Sequence, residues 1–293
     1  MPEIVPGAPG GSAGPRVLRG FVDTGATQLH YRRAGVADGP PIVMLHKSPG
    51  SGLSLVPLLT RLARQRPVIV IDTPGNGDSE PVPTVPPTIA DYATTIRAGL
   101  DALGIETCDL YGLHTGASIA IEIALSAPAT VRRLILEGVS LFDPAQAEQL
   151  VASGHAPALT PSPEATHLLV AWHMVRDGHL FWPWQQRGSG NLRLRGLPSA
   201  EELHAELVEV LKALDTYHLS YEAALRYRKR DRLSQLHVPT LVCAGPRDQL
   251  VGYLDEVAAL IPGAVSAVVG GFQDHDVLDA TADRYLAFFD GRG

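Results

Sequence analysis

The sequence predicts an α/β protein: a mostly parallel, doubly wound sheet of about eight strands, with a helical insertion after the sixth. Residues 41–45, 68–71 and 240–244 are short, unbroken apolar runs rich in Val, Ile and Leu, the pattern of strands covered on both faces. Segments with apolar residues at helical spacing alternate with such runs over short connections, as parallel crossovers require. From 141 to 236 the β-branched runs stop and helical patterns take over.

Composition sets the limits. The 293 residues are 45% hydrophobic and 19% charged, enough for one large core with an insertion. The formal charge is −7, and Lys and Arg are dispersed, so there is no electrostatic footprint for nucleic acid or an anionic membrane. A small-molecule substrate is the expected partner, and a homodimer is compatible with this composition. Cys108 and Cys243 each sit inside an apolar run, which predicts buried free thiols and suits a reducing cytoplasm. No apolar run reaches the ~18 residues of a membrane span, and the N-terminus lacks a basic-then-apolar leader, so a cytoplasmic location is expected.

In chain order, residues 1–16 are rich in Pro, Gly and Ala without periodicity and are expected to form a tail outside the fold. The core is expected over 17–140 and 237–291, with a helical cap over 141–236. Residues 17–22 and 27–32 read as two strands around a Thr24–Gly25 turn. Strand 41–45 leads into His46–Lys47–Ser48–Pro49–Gly50, with a helix expected over 53–62. Strand 68–72 is followed by a Pro/Gly loop, and Thr88 is placed to cap a helix over 89–103. A sixth core strand spans 131–139. Within the insertion, helices are expected over 144–153, 163–176 and 200–227. Strand 240–244, a helix over 252–261 and strand 264–269 complete the core.

The stretch that organises the chain is Gly112–Leu113–His114–Thr115–Gly116, between an apolar strand and an apolar helix. Glycines at this spacing let a strand turn sharply into a helix and hold one side chain in strained geometry at the tip. The stretch resembles the nucleophile elbow of the α/β-hydrolase family, with His114 where that family carries Ser, Cys or Asp. Three further stretches resemble the family in its own chain order: the loop at 46–52, the Asp72–Thr73–Pro74–Gly75 loop, and Gly245–Pro246–Arg247–Asp248 followed by the loop carrying His275. The resemblance spans residues 17–291. It implies Asp248 as the triad acid, with Asp143 as a competitor, His275 as the triad base, and backbone N–H donors at Ser48 and Thr115 for an oxyanion. The Asp72 loop is structural in that family, so no chemistry is assigned to it.

The reaction is less determined. An imidazole at the elbow fills space where a serine enzyme places the attacked carbonyl. His114 can serve as a general base, as a nucleophile, or as a metal ligand with His275, or it can mark a site without turnover. The resemblance, with this residue set, implies hydrolysis of an ester, lactone or carbon–carbon bond in a small, largely apolar carbonyl compound, without cofactor or metal. A lyase, cyclase or cofactor-independent oxygenase is the alternative, and a binding protein is the alternative outside enzymes. His46, Lys47, Phe181, Trp182 and Trp184 are the expected substrate contacts. Lys47 has an equally good reading as a solvated loop side chain, and most of the insertion's rings read as filling the insertion's own core and its seam with the sheet.

Overall fold

A computed structural model describes residues 14–35, 39–193, 196–270 and 277–292. Among them, eight strands form one sheet in the order β1-β2-β4-β3-β5-β6-β7-β8. The strands are β1 (Leu18–Asp23), β2 (Gln28–Ala34), β3 (Ile42–Leu45), β4 (Val68–Ile71), β5 (Cys108–Leu113), β6 (Val131–Glu137), β7 (Thr240–Ala244) and β8 (Val265–Val268). The pairs β1/β2 and β2/β4 are antiparallel and the rest parallel, as the sequence predicts. The tail expected over 1–16 falls almost entirely outside the described residues.

The apolar runs alternate between two cores. Val43, Leu45, Leu110 and Val242 pack on one face of the sheet; Ile42, Met44, Tyr111 and Leu241 pack on the other. The first face is covered by α2 (Ile89–Ala102), α3 (Thr115–Ser126) and α9 (Leu254–Leu260), and the second by α1 (Val56–Leu62) and α10 (Leu278–Phe289). Each fully buried leucine on these faces contributes about 1.5–3 kcal/mol. Thr88 caps α2 in a reciprocal box with Asp91. The helix α10 was not among the expected elements, although Leu278, Ala282, Tyr285 and Phe289 mark its buried stripe.

Between β6 and β7 the chain forms α4 (Pro144–Ala152), α5 (Thr166–Leu180), α6 (Ala200–Lys212), α7 (Tyr217–Arg226) and α8 (Lys229–Leu233). They share a small core of their own around Ala171, Met174, Val210 and Tyr217, with Trp172 and Trp184 packed against it. One long helix was expected over 200–227; the structure breaks it after Lys212. Thr216 Oγ1 there donates to the carbonyl of Gly75, in the loop after β4, and this long-range bond pins the chain where no Gly or Pro signals a stop.

That loop is built on Asp72. Its buried carboxylate accepts from Arg32 at 2.7 Å, from His30 at 2.9 Å and from the Gly52 amide at 2.8 Å. Burial alone would raise its pKa, yet the His30 hydrogen bond and the charge of Arg32 hold it down at about 2. His30, Asp72 and Asp78 are the one metal-spaced cluster among the described residues, and its carboxylates already pair with Arg32 and Lys212. The parallel strands β3, β5, β6 and β7 end on one edge of the sheet, where ligands bind in open α/β folds.

Candidate active site

The elbow forms at the carboxyl end of β5. His114 adopts φ 51°, ψ −106°, one of two non-glycine residues with positive φ among those described. Both flanking glycines are sterically required: a Cβ at Gly112 would meet the carbonyl of Gly116, and one at Gly116 the carbonyl of Leu45. The His114 amide donates to the Glu137 carbonyl at 2.9 Å, and the imidazole lies over Gly138, where a Cβ would overlap the ring.

His114 Nε2 lies 2.7 Å from Asp248 Oδ2, and both side chains are mostly buried. Asp248 stands in the turn after β7, its other oxygen accepting from the Leu250 amide at 2.8 Å. With the carboxylate ionised, Nε2 carries the proton and the lone pair sits on Nδ1. Sequence reasoning paired Asp248 with His275; His275 lies outside the described residues, and the direct contact of Asp248 with the elbow residue was not expected. Asp143, the competing acid, instead caps α4 in a reciprocal box with Gln146.

Above the elbow lies a cavity of about 520 Å³, between the loop after β3, the turn after β7 and helices α5 and α6. Lys47, Ser48, His114, Trp182, Trp184 and Asp248 line it, so six of the sequence-derived residues come together. Thr115 opens α3, where a helix start leaves amides without an intrahelical acceptor, and it lines a smaller chamber beside His114. Two substrate contacts are corrected. His46 is fully buried and outside the cavity wall: its Nδ1–H donates to the Lys47 carbonyl at 2.7 Å and its Nε2 accepts from the Thr73 amide at 2.8 Å. Burial lowers its pKa against the pull of Asp72, so it is a neutral brace for the loop. Phe181 also stays off the wall, because the chain leaves α5 there in an extended conformation and bridges to Leu192.

A family model described as "alpha/beta hydrolase fold" matches residues 40–157. Over 248 residues the chain is 30% identical to a protein of Azorhizobium caulinodans named "Putative carbamate hydrolase RutD", covering 82% of this chain and 84% of that one. The chain belongs to the α/β hydrolase fold family. A shorter match, 34% over 131 residues (42% of this chain and 43% of that one), is to the Pseudomonas putida "2-hydroxy-6-oxononadienedioate/2-hydroxy-6-oxononatrienedioate hydrolase 2". The fold of "Epoxide Hydrolase A from Mycobacterium thermoresistibile" overlays with a TM-score of 0.74 at 19% identity, covering 94% of this chain and 99% of that one.

Within this family member, the cavity is less apolar than the sequence suggested. Glu202, Glu206 and Glu209 share one face of α6 and reach the wall, as do Arg193 and Arg247. Their helical spacing was readable; what hid them was the absence of any sign that this face turns inward. Trp182 meets the His155 ring edge-on at 4.2 Å, and Trp184 Nε1 donates to the His155 carbonyl at 2.8 Å. Burial pushes the His155 imidazole down to about 4, so it serves as an uncharged ring.

Sequence reasoning also missed Glu137. It closes the apolar strand β6, lines the cavity and is fully buried, with the hydroxyls of Tyr111 and Tyr285 donating to Oε2 at 2.6 and 2.7 Å. Burial raises its pKa; the tyrosine hydrogen bonds oppose the rise and the charge of Asp248 adds to it. An ionisable residue ending an apolar strand at the carboxyl edge was the available signal.

Proposed function

We propose that the protein is a hydrolase that cleaves an ester, lactone or comparable activated carbonyl bond of a small molecule held in the 520 Å³ cavity, with His114 as the general base. The observation that carries this reading is the 2.7 Å contact between His114 Nε2 and Asp248 Oδ2. A carboxylate fixes the tautomer of an imidazole and stabilises its protonated form, which is what a base at the floor of a cavity needs. The names of the relatives support an enzyme of the hydrolytic type.

In this mechanism Nδ1 of His114 takes a proton from water as its oxygen bonds to the substrate carbonyl carbon. The carbonyl oxygen becomes an oxyanion, met by backbone N–H groups at Thr115 and Ser48. Collapse breaks the bond to the leaving group, and the proton held on His114 passes to it. Asp248 keeps its charge throughout. The family resemblance implies His275, which lies outside the described residues, as a second imidazole for this mechanism. Trp182 and Trp184 supply apolar cover, while Lys47, Arg247 and the α6 glutamates favour a substrate with polar groups.

The test is turnover of a panel of p-nitrophenyl esters and simple lactones by the protein and by His114→Ala. Loss of kcat by a factor of ~100 or more, with KM little changed, is expected for a base. Near-parent turnover in His114→Ala, without added metal or external base, would remove His114 from the chemistry. Failure of the whole panel with intact folding would favour the non-hydrolytic or binding alternatives.

A further inference from the structure

A second chamber of about 50 Å³ adjoins the large cavity and shares Ser48, His114, Trp182 and Tyr221 with it. Gln249 also lines both, its Oε1 buried without a partner, and the remaining wall holds Ser140 together with two deeply buried polar groups that have no part in the mechanism above, Lys229 and Ser118. Lys229, the first residue of α8, is buried to 6% exposure, and its Nζ donates to the Ala224 carbonyl at 2.6 Å. The Tyr227 ring lies 5.9 Å from the ammonium, and among the described residues no carboxylate is within ion-pair distance of it. Ser118 on α3 lines the same chamber, and its Oγ is fully buried with no hydrogen-bond partner.

A buried ammonium without a counter-ion is costly, as is an unpaired buried hydroxyl. Burial already pulls the Lys229 pKa down to about 7, the shift of a site that lacks negative charge. One ligand class would relieve both groups: a small anion whose oxygens accept from Nζ and from Ser118. Size narrows it further. A water needs roughly 10–15 Å³ of such space, so the chamber takes about three to five heavy atoms, the size of formate, acetate or bicarbonate.

We propose that this chamber is a binding site for a small carboxylate or carbonate, with Lys229 as its counter-charge and Ser118 as its hydroxyl donor. The site goes beyond the hydrolase reading and does not depend on it. The anion can be the acid released by hydrolysis or one drawn from solution; the chemistry at Lys229 is the same.

Trp182 lines the chamber and reports occupancy by its fluorescence. Titration with sodium acetate, formate and bicarbonate at constant ionic strength, with chloride as the balancing salt, is expected to give a saturable change with Kd on the order of 1 mM. Lys229→Met should abolish it and Ser118→Ala should weaken it several-fold, each variant first checked for parent-like circular dichroism. If Lys229→Met does not fold, the Ser118→Ala titration decides alone. Inhibition of ester turnover by acetate that is competitive and lost in Lys229→Met assigns the site to the product; saturable binding without competition assigns it to a solution anion. Either pattern supports the site. No saturable change with any of the three salts, or an affinity unchanged in both variants, overturns it, and because binding is read without turnover that result is distinct from failure of the hydrolase reading.

Discussion

His114 Nε2 and Asp248 Oδ2 stand 2.7 Å apart, so the elbow residue is itself oriented by a carboxylate from the turn after β7. In a serine-type site that carboxylate would act one residue removed from the elbow, through a separate imidazole. Here the strained tip and the oriented imidazole are the same residue. Asp248→Asn therefore touches the proposed base directly. The amide would favour the opposite tautomer or leave the ring unoriented, and kcat is expected to fall by ~100-fold or more while KM changes little. Steady-state kinetics of the variant beside His114→Ala check this; a loss in Asp248→Asn much smaller than in His114→Ala would mean that the carboxylate does not tune the base.

Gly138 is the floor on which the His114 ring rests. It has φ +66°, and a Cβ there would overlap the imidazole and come within 3.2 Å of Asp248 Oδ2. Gly138→Ala is expected to cost about 1–3 kcal/mol of stability through the left-handed backbone and to tilt the ring off its carboxylate. Activity should fall more than stability. Urea unfolding beside kinetics separates the two, and parent-like kcat in a destabilised variant would show that the ring position is not fixed by this glycine.

Glu137 gives a pH dependence with a definite sign. Burial raises its pKa in the folded chain, so the folded state binds a proton that the unfolded state has released. Its contribution is complete below the ordinary carboxylate pKa and is lost as pH rises through the folded value. Glu137→Gln keeps an oxygen for Tyr111 and Tyr285 and has nothing to titrate. The stability of the variant relative to the parent should therefore improve between pH 5 and pH 8, measured as urea midpoints. Parallel pH curves would show that Glu137 is ionised in both states.

The core and the elbow were legible because their signals are local. Short unbroken runs such as 42–45, bounded by turn residues, fit strands covered on both faces, and Gly112 and Gly116 declare a turn whose sterics the structure bears out. His46 was misplaced because proximity to a loop in sequence says nothing of direction: the register of β3 sends that ring inward to the Thr73 amide. The break between α6 and α7 was hidden because it depends on Gly75, more than a hundred residues away in the chain. Glu209 and Glu137 were visible as residues but not as walls of a cavity, since burial of a charge is a tertiary outcome that hydropathy patterns argue against.

The sharpest test of the elbow is His114→Ser, which restores the family's usual residue type at that position. Backbone strain is unchanged by the substitution, because serine inherits φ 51° as histidine did. A hydroxymethyl group is shorter than an imidazole, however, and in the proposed mechanism the substrate carbonyl is positioned by the cavity wall and the backbone donors, not by the elbow side chain. The new hydroxyl would lie an ångström or more beyond attacking distance, an error that costs on the order of 100-fold. His114→Ser would also leave Asp248 Oδ2 without the Nε2–H that it accepts in the parent. The variant is expected to turn over esters at ~1% of the parent rate or less, and to resist stoichiometric labelling at residue 114 by a phosphonylating reagent. Parent-like turnover together with such labelling, located by peptide mass spectrometry, would show that the cavity is shaped for a serine nucleophile and that His114 is not its base.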